Sequence, residues 1–278
     1  MEKGTLYIVA TPIGNLEDIT IRAVNILKMV DIIAAEDTRQ TIKLLNHLSI
    51  KKHMESYYEH NKEEKGKYLI KLLLEGKNIA LVSDAGTPGI SDPGELLVRQ
   101  AIDEEINVTM APGAVAFIMG LVLSGFPTGR FVFEGFLPMN KRGRKERLNQ
   151  LKSEFRTLVF YEAPHKLKYT LKDLLEVLGD RRICFARELT KRYEEIYRTT
   201  ISEAVKYYED NSPKGEFVLI VEASDEILQI DTQNPYLNMD IKSHVALYVN
   251  EGIDKMSAIK KVAKERGLNK RDVYTQVI

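Results

Sequence analysis

The apolar run Ile79–Val82 breaks off into Ser83–Gly94, SDAGTPGISDPG, a composition that no regular helix or strand carries. A four-residue apolar run that ends in such a segment reads as a buried strand opening into a loop at the carboxyl edge of a sheet. In open α/β folds that edge is where ligands bind. Gly86, Gly89 and Gly94 allow positive φ and close backbone approach, while Pro88 and Pro93 stiffen the loop and lower the entropy lost on ordering it. A plainer reading also fits: a long turn in which Asp92 or Ser91 caps the helix that follows.

Other short apolar runs repeat this pattern. TLYIVA at 5–10, DIIAA at 31–35, a run from Lys52 to Tyr58 and the run Ile106 to Met110 each precede helical spacing of apolar residues. Strands alternating with helices over the first 120 or so residues predict a mostly parallel sheet flanked by helices. Beyond Ser124-Gly125-Phe126-Pro127 the pattern changes. FVFEGFL at 131–137, TLVFY at 157–161, RICFAR at 182–187 and EFVLIVE at 216–222 are strand-like, with helices expected at roughly 142–154, 165–178 and 201–210. Hydrophobic period alone does not decide whether these strands pair parallel or antiparallel.

The expected organisation is therefore an N-terminal α/β domain over 1–124, a second α/β domain over 125–224, a polar linker over 225–238 and a helical unit over 239–278. Three short helices are expected in the last unit, broken at Gly252 and Gly267, with Lys260, Lys261, Lys264, Arg266, Lys270 and Arg271 about their turns. That pattern resembles a helix-turn-helix, so RNA contact, support of a dimer and simple capping all remain open.

With 40 basic and 40 acidic residues among 278, the chain is formally neutral. This excludes a wholly basic surface but leaves room for a local patch. The lone cysteine, Cys184, allows neither an internal disulfide nor a cysteine metal cluster, and it sits in an apolar run as an inert strand residue would. His53 and His60 lack metal-binding spacing, so no metal is expected. No stretch approaches the ~18 uninterrupted apolar residues of a membrane span. A cytoplasmic location is the expectation.

Several polar clusters sit at strand ends. Glu36, Asp37, Thr38 and Arg39 follow the second strand, where capping and ligand contact are compatible roles. Ala111-Pro112-Gly113-Ala114 is a second small-residue turn at the same edge, either part of a pocket or a helix start. In Tyr161-Glu162-Ala163-Pro164-His165, Pro164 suits a first helical turn, and Glu162 suits either proton acceptance or capping. Arg187-Glu188-Leu189-Thr190-Lys191 forms an ion pair or faces the cleft. KRGRKER at 141–147 has five basic residues and one acidic; it is a solvated helix start or a phosphate-contacting patch carrying Arg142, Arg144 and Lys145.

Taken together, TPIGNLEDIT at 11–20, AEDTR at 35–39, SDAGTPGISDPG at 83–94, PGA at 112–114, FYEAPH at 160–165, ARELTK at 186–191 and KGEFVLIVE at 214–222 resemble the tetrapyrrole-methylase superfamily. Within it they resemble the RsmI family of bacterial 16S ribosomal RNA cytidine 2′-O-methyltransferases, in order over residues 4 to about 224. The resemblance implies a two-domain α/β fold, distinct from the Rossmann methyltransferases, that binds S-adenosylmethionine between its domains and commonly forms a homodimer. It implies Pro12, Asp84, Gly86, Thr87, Ile90, Pro112, Ala114, Tyr161 and Ala163 around the cofactor. Glu36, Asp37, Arg39, Glu162 and Glu188 are the polar candidates toward the substrate, with Glu162, Glu188 or Asp37 as proton acceptor. The implied partner is 16S ribosomal RNA or the small subunit. A tetrapyrrole-like small substrate and a non-catalytic RNA-binding role are the alternatives.

Overall fold

Short runs rich in β-branched and small apolar residues, and the more polar HMES at 53–56, become strands β1 (Thr5–Val9), β2 (Ile32–Ala35), β3 (His53–Ser56), β4 (Ile79–Val82) and β5 (Asn107–Ala111). Between them run helices α1 (Ile21–Met29), α2 (Thr38–His47), α3 (Lys62–Leu74) and α4 (Gly94–Asp103). The computed structural model describes residues 2–224, 239–266 and 268–277. In it the five strands form one sheet in the order β3-β2-β4-β1-β5, every neighbouring pair parallel.

Because both faces of this sheet are covered, alternate residues of one strand serve different cores. Ile79 and Leu81 of β4 pack with Leu69, Leu73 and Leu97 of α3 and α4, whereas Ala80 and Val82 pack with Leu27 of α1 and Leu45 of α2. Burial on both sides explains why β2 and β4 are unbroken apolar runs.

The second sheet contains β6 (Phe131–Phe136), β7 (Thr157–Glu162), β8 (Arg182–Arg187), β9 (Glu195–Thr200) and β10 (Phe217–Val221), in the order β6-β7-β10-β8-β9. Only β6 and β7 pair parallel; the other neighbours are antiparallel. One face carries α6 (Lys141–Gln150), α7 (Pro164–Leu178) and α8 (Ile201–Asp210). The other face carries α5 (Ala116–Ser124), whose Leu121 packs with Val159, Cys184, Val218 and Ile220.

The location of α5 departs from the expected division at residue 124. Although it follows β5 directly, α5 packs on the second sheet, and Gly120 lets it do so: a β-carbon there would stand 3.1 Å from Cγ1 of Val218. Cys184 is buried in β8, as expected, and burial pushes its thiol up to about 11.

Contacts divide the chain into two compact units, Met1–Ala223, which holds both sheets, and Ser224–Ile278. The stretch 225–238, expected to be a linker, lies outside the described residues. The second unit contains α9 (Ile241–Asn250), α10 (Lys255–Glu265) and α11 (Lys270–Val277) around a core that includes Val245, Ile259, Val262 and Val273. Arg266 is tied into this unit, donating to Nδ1 of buried His244 at 3.0 Å, whereas Lys260, Lys264, Lys270 and Arg271 are exposed. No described helix is long and apolar enough to cross a membrane.

Candidate functional site

Parallel pairing brings the loops after β1, β2, β4 and β5 to one edge of the first sheet, where backbone hydrogen bonds tie them together. Thr11, just past β1, exchanges bonds with Gly86 of the β4 loop: Thr11 N donates at 2.8 Å and Gly86 N returns at 3.0 Å. Gly86 has φ +82°, and a β-carbon there would press on Ile13 at 3.1 Å and on the Ala114 carbonyl at 3.4 Å. The positive φ calls for glycine, and the closeness of Ile13 adds to the preference. The Thr87 hydroxyl donates to the same Ala114 carbonyl at 3.3 Å, linking the β4 and β5 loops. The Asp92 carboxylate accepts from Gly89 N, Ile90 N and Gly94 N, so it closes the loop and caps α4 together. Ser91, the other expected cap, instead holds a positive φ of 64°.

Above this edge lies a cleft of about 650 Å³, within the range of small-molecule and cofactor sites. Its first wall carries Glu36, Asp84, Gly86, Thr87 and Ile90, and its second carries Tyr161 and Ala163 from the end of β7. These expected residues from distant parts of the chain are thus brought together. Pro12, Pro112 and Ala114 do not line the cleft; their neighbours Ile13 and Val115 do, and the Ala114 carbonyl accepts from the Thr87 hydroxyl. Burial raises the Tyr161 hydroxyl pKa, and its ring meets Phe133 edge-on at 5.0 Å between centroids.

The carboxylates separate into different roles. Glu36 lines the cleft; burial and then the nearby Asp84 charge raise its pKa, with Asp92 and Asp37 adding to the effect. Asp37 is outside the lining and caps α2, accepting from Arg39 N at 2.8 Å and from the Arg39 guanidinium, which holds its pKa down. Arg39 points into solvent, with 88% of its side chain exposed. Asp37 contributes through its backbone, donating N–H to Asp84 Oδ1 at 2.9 Å and so fixing the β2 loop to the β4 loop. Glu162 lines the cleft, but it is only 5% exposed and both its oxygens are engaged, by the Thr170 hydroxyl and by Ala163 N.

Glu188 is also outside the lining. Burial would raise its pKa, but the Glu216 N–H and the Lys191 ammonium outweigh that and lower it. Lys191 itself lines the cleft, bonded to Glu188 at 3.0 Å and Glu216 at 2.9 Å. Burial pulls the Lys191 pKa down, and these two carboxylates more than offset it. Lys191 and Glu216 stand together because β8 and β10 pair antiparallel, Arg187 opposite Phe217. Lys191 was expected either in an ion pair or facing the cleft and does both, whereas Glu216, Phe217 and Val218, read only as strand residues, were not singled out and form part of the wall. His165, at the start of α7, completes this end.

The basic run at 141–147 does not join the cleft lining. Arg144, expected to contact phosphate, is 6% exposed; it donates to Asp173 at 2.7 Å and to the carbonyls of Pro138 and Met139. That is a core ion pair between α6 and α7. Arg142 bonds Glu146, Lys145 bonds Glu176 and Arg147 bonds Glu134. No group of acidic, histidine or cysteine side chains suited to a metal occurs among the described residues.

Residues 5–205 match the model of the tetrapyrrole (corrin/porphyrin) methylases. A Halalkalibacterium halodurans protein named ribosomal RNA small subunit methyltransferase I is 52% identical over 273 residues, covering 98% of this chain and 94% of the relative. A Bacillus subtilis protein of the same name is 48% identical with the same coverage. Another of that name, from Thermotoga maritima, is 48% identical over 222 residues, which is 80% of this chain and all of that protein. Among solved structures, a diphthine synthase matches with a TM-score of 0.61 at 12% identity, over 79% of this chain and 89% of that one. A Thermus thermophilus uroporphyrin-III C-methyltransferase complexed with S-adenosyl homocysteine matches with a TM-score of 0.56 at 19% identity, over 82% and 100%. The loop cradle, the two-sheet architecture and these matches converge: the chain belongs to the tetrapyrrole (corrin/porphyrin) methylase family and is a methyltransferase.

Proposed function

We propose that this enzyme methylates the ribose 2′-oxygen of a cytidine in 16S ribosomal RNA, with S-adenosylmethionine as donor. The observation that carries the reading is the 98% span of the chain over which it matches relatives named for small-subunit ribosomal RNA methylation. The cleft fits the donor in size and in having a loop held at a positive φ by Gly86, where the backbone can approach a ligand closely. Asp84, Thr87, Ile90 and Tyr161 are the residues that would hold it. When bound, the donor supplies a methyl group already activated on a sulfonium, so positioning is the main task left to the protein.

A 2′-hydroxyl must give up its proton as its oxygen gains the methyl. Glu36 is the acceptor we favour over Glu162, Glu188 and Asp37. It faces the cleft, no cation pairs with it among the described residues, and its raised pKa makes it a better base than an ordinary carboxylate. Glu162 has both oxygens committed, and Glu188 and Asp37 are engaged outside the lining. Methyl transfer resides in Met1–Ala223, the unit that holds the cleft and the residues 5–205 matched by the methylase model. The enzyme pairs with a second copy through α5, an apolar helix whose Ile118, Val122 and Leu123 stand exposed.

The test is mass mapping of ribose-methylated nucleotides in small subunits and in free 16S RNA treated with labelled donor. Wild type should label a cytidine 2′-oxygen, and Glu36→Gln should slow transfer by about 10²–10⁴-fold with donor affinity retained. Labelling on a base, or no transfer to either RNA, contradicts the proposal.

A further inference from the structure

The cleft does not end at His165. Pro164 and His165 line it and also line a second hollow of about 460 Å³, whose other walls are Lys168, Tyr169, Lys172 and Pro213. The two cavities are therefore adjacent along the first turns of α7, with Pro164 and His165 between them. His165, Lys168, Tyr169 and Lys172 recur at three- and four-residue spacing, the spacing that places side chains on one helical face. The opposite face, with Leu167, Leu171 and Leu174, is sealed in the core.

The charge in this hollow is available. Lys168 donates to the Glu209 carbonyl at 3.2 Å, and among the described residues neither Lys168 nor Lys172 is ion-paired to a carboxylate. The nearest acids on α7 itself are occupied elsewhere, Asp173 by Arg144 and Glu176 by Lys145. Between the lysines Tyr169 presents its ring to solvent, 67% exposed, although aromatic rings are ordinarily packed. Lysines interleaved with an exposed ring form the pattern that holds single-stranded nucleic acid, with cations on phosphates and rings stacked on bases.

We propose that this α7 groove binds the nucleotide adjacent to the one being methylated, with Tyr169 stacking on its base and Lys168 and Lys172 contacting the flanking phosphates. The inference rests on the RNA reading above and adds the path of the strand away from the cleft. Recognition of a base face and phosphates is largely indifferent to sequence, so the groove supplies affinity and register, and selection of the target atom stays with the cleft.

Full-length wild type, Lys168→Ala/Lys172→Ala, Tyr169→Ala and Tyr169→Phe should be compared in two assays. The first is binding of a fluorescent single-stranded oligoribonucleotide of small-subunit sequence across a salt series. The second is methyl transfer to small-subunit RNA. The double variant should bind with a salt slope lower by roughly 1.4, two single-strand phosphate contacts at ~0.7 each. Tyr169→Ala should bind about tenfold more weakly and Tyr169→Phe nearly as well as wild type, since stacking needs the ring and not the hydroxyl. Where transfer occurs, KM for RNA should rise with kcat and donor affinity unchanged. Binding and slope identical to wild type in the double variant and in Tyr169→Ala would overturn the groove. Failure of wild type to methylate RNA while these binding differences persist would instead overturn the functional reading and leave the groove standing.

Discussion

The helices α6 and α7 each carry a cationic stretch, and the two behave oppositely. The α6 stretch is far denser in sequence, with five basic residues in seven, yet its three arginines and Lys145 are each held by a carboxylate. The α7 stretch is sparser, but Lys168 and Lys172 are ion-paired to no carboxylate among the described residues and flank an exposed ring beside the cleft. Linear charge density therefore says little about charge that a polyanion can use. What counts is whether the fold delivers a counterion, and for three of the four it does so from 13 to 31 residues away: Arg147 to Glu134 is 13 apart, Arg144 to Asp173 is 29 and Lys145 to Glu176 is 31.

The strongest way to break this contrast is at Arg144. If its charge is structural, Arg144→Ala strands the Asp173 carboxylate, 6% exposed, in the core and destabilises the fold by about 3–5 kcal/mol. Chemical denaturation measures this, and RNA binding per folded molecule should not change. A stable Arg144→Ala protein with weakened RNA binding would return Arg144 to the phosphate-contacting role.

The same distinction between consumed and available charge operates in the cleft, where Lys191 is answered by two carboxylates and Glu36 by no cation among the described residues. The folded-state pKa of Glu36 is raised by burial and by Asp84, so the folded protein holds this proton more tightly than the unfolded chain. Stability then falls as pH rises from the ordinary glutamate value through the raised one. Glu36→Gln should accordingly stabilise the protein at neutral pH and lose that advantage in acid, where both forms are uncharged. The gain should lie within about 0.5 kcal/mol, as Glu36 is only partly buried and solvent screens its charge. Thermal melts at several pH values would show it, and a pH-independent difference would speak against the assignment.

How much of this was legible in the sequence depended on how local the signal was. All five strands of the first sheet could be read: β2 and β4 are short buried apolar runs punctuated by Gly, Pro and acidic loop residues, and the edge strands β3 and β5 stand where strand-like runs precede helical spacing. The loop of Ser83–Gly94 was equally plain, since its glycines and prolines mark backbone geometry directly. Strand β9 was missed: Glu195–Thr200 is an edge strand, half exposed, with no apolar run to announce it. The location of α5 was missed because a helix apolar on all sides carries no information about which sheet it faces. Arg144 was unreadable because its partner Asp173 is distant in sequence and is placed by helix packing; for Lys191 the ion pair was an open reading, and only its second partner, Glu216, placed by strand pairing, was hidden.

The most direct test of the account sets the two helices side by side. RNA affinity is measured against salt for wild type, for Arg142→Ala/Lys145→Ala on α6 and for Lys168→Ala/Lys172→Ala on α7, all as full-length protein. Each pair removes two positive charges from α-helices on the same face of the second sheet, so net charge is controlled. The account predicts that the α6 variant follows wild type closely and that the α7 variant has a slope shallower by roughly 1.4 with unchanged donor affinity. A shallower slope for the α6 variant with no change in the α7 variant would contradict it and move the RNA path to the denser run.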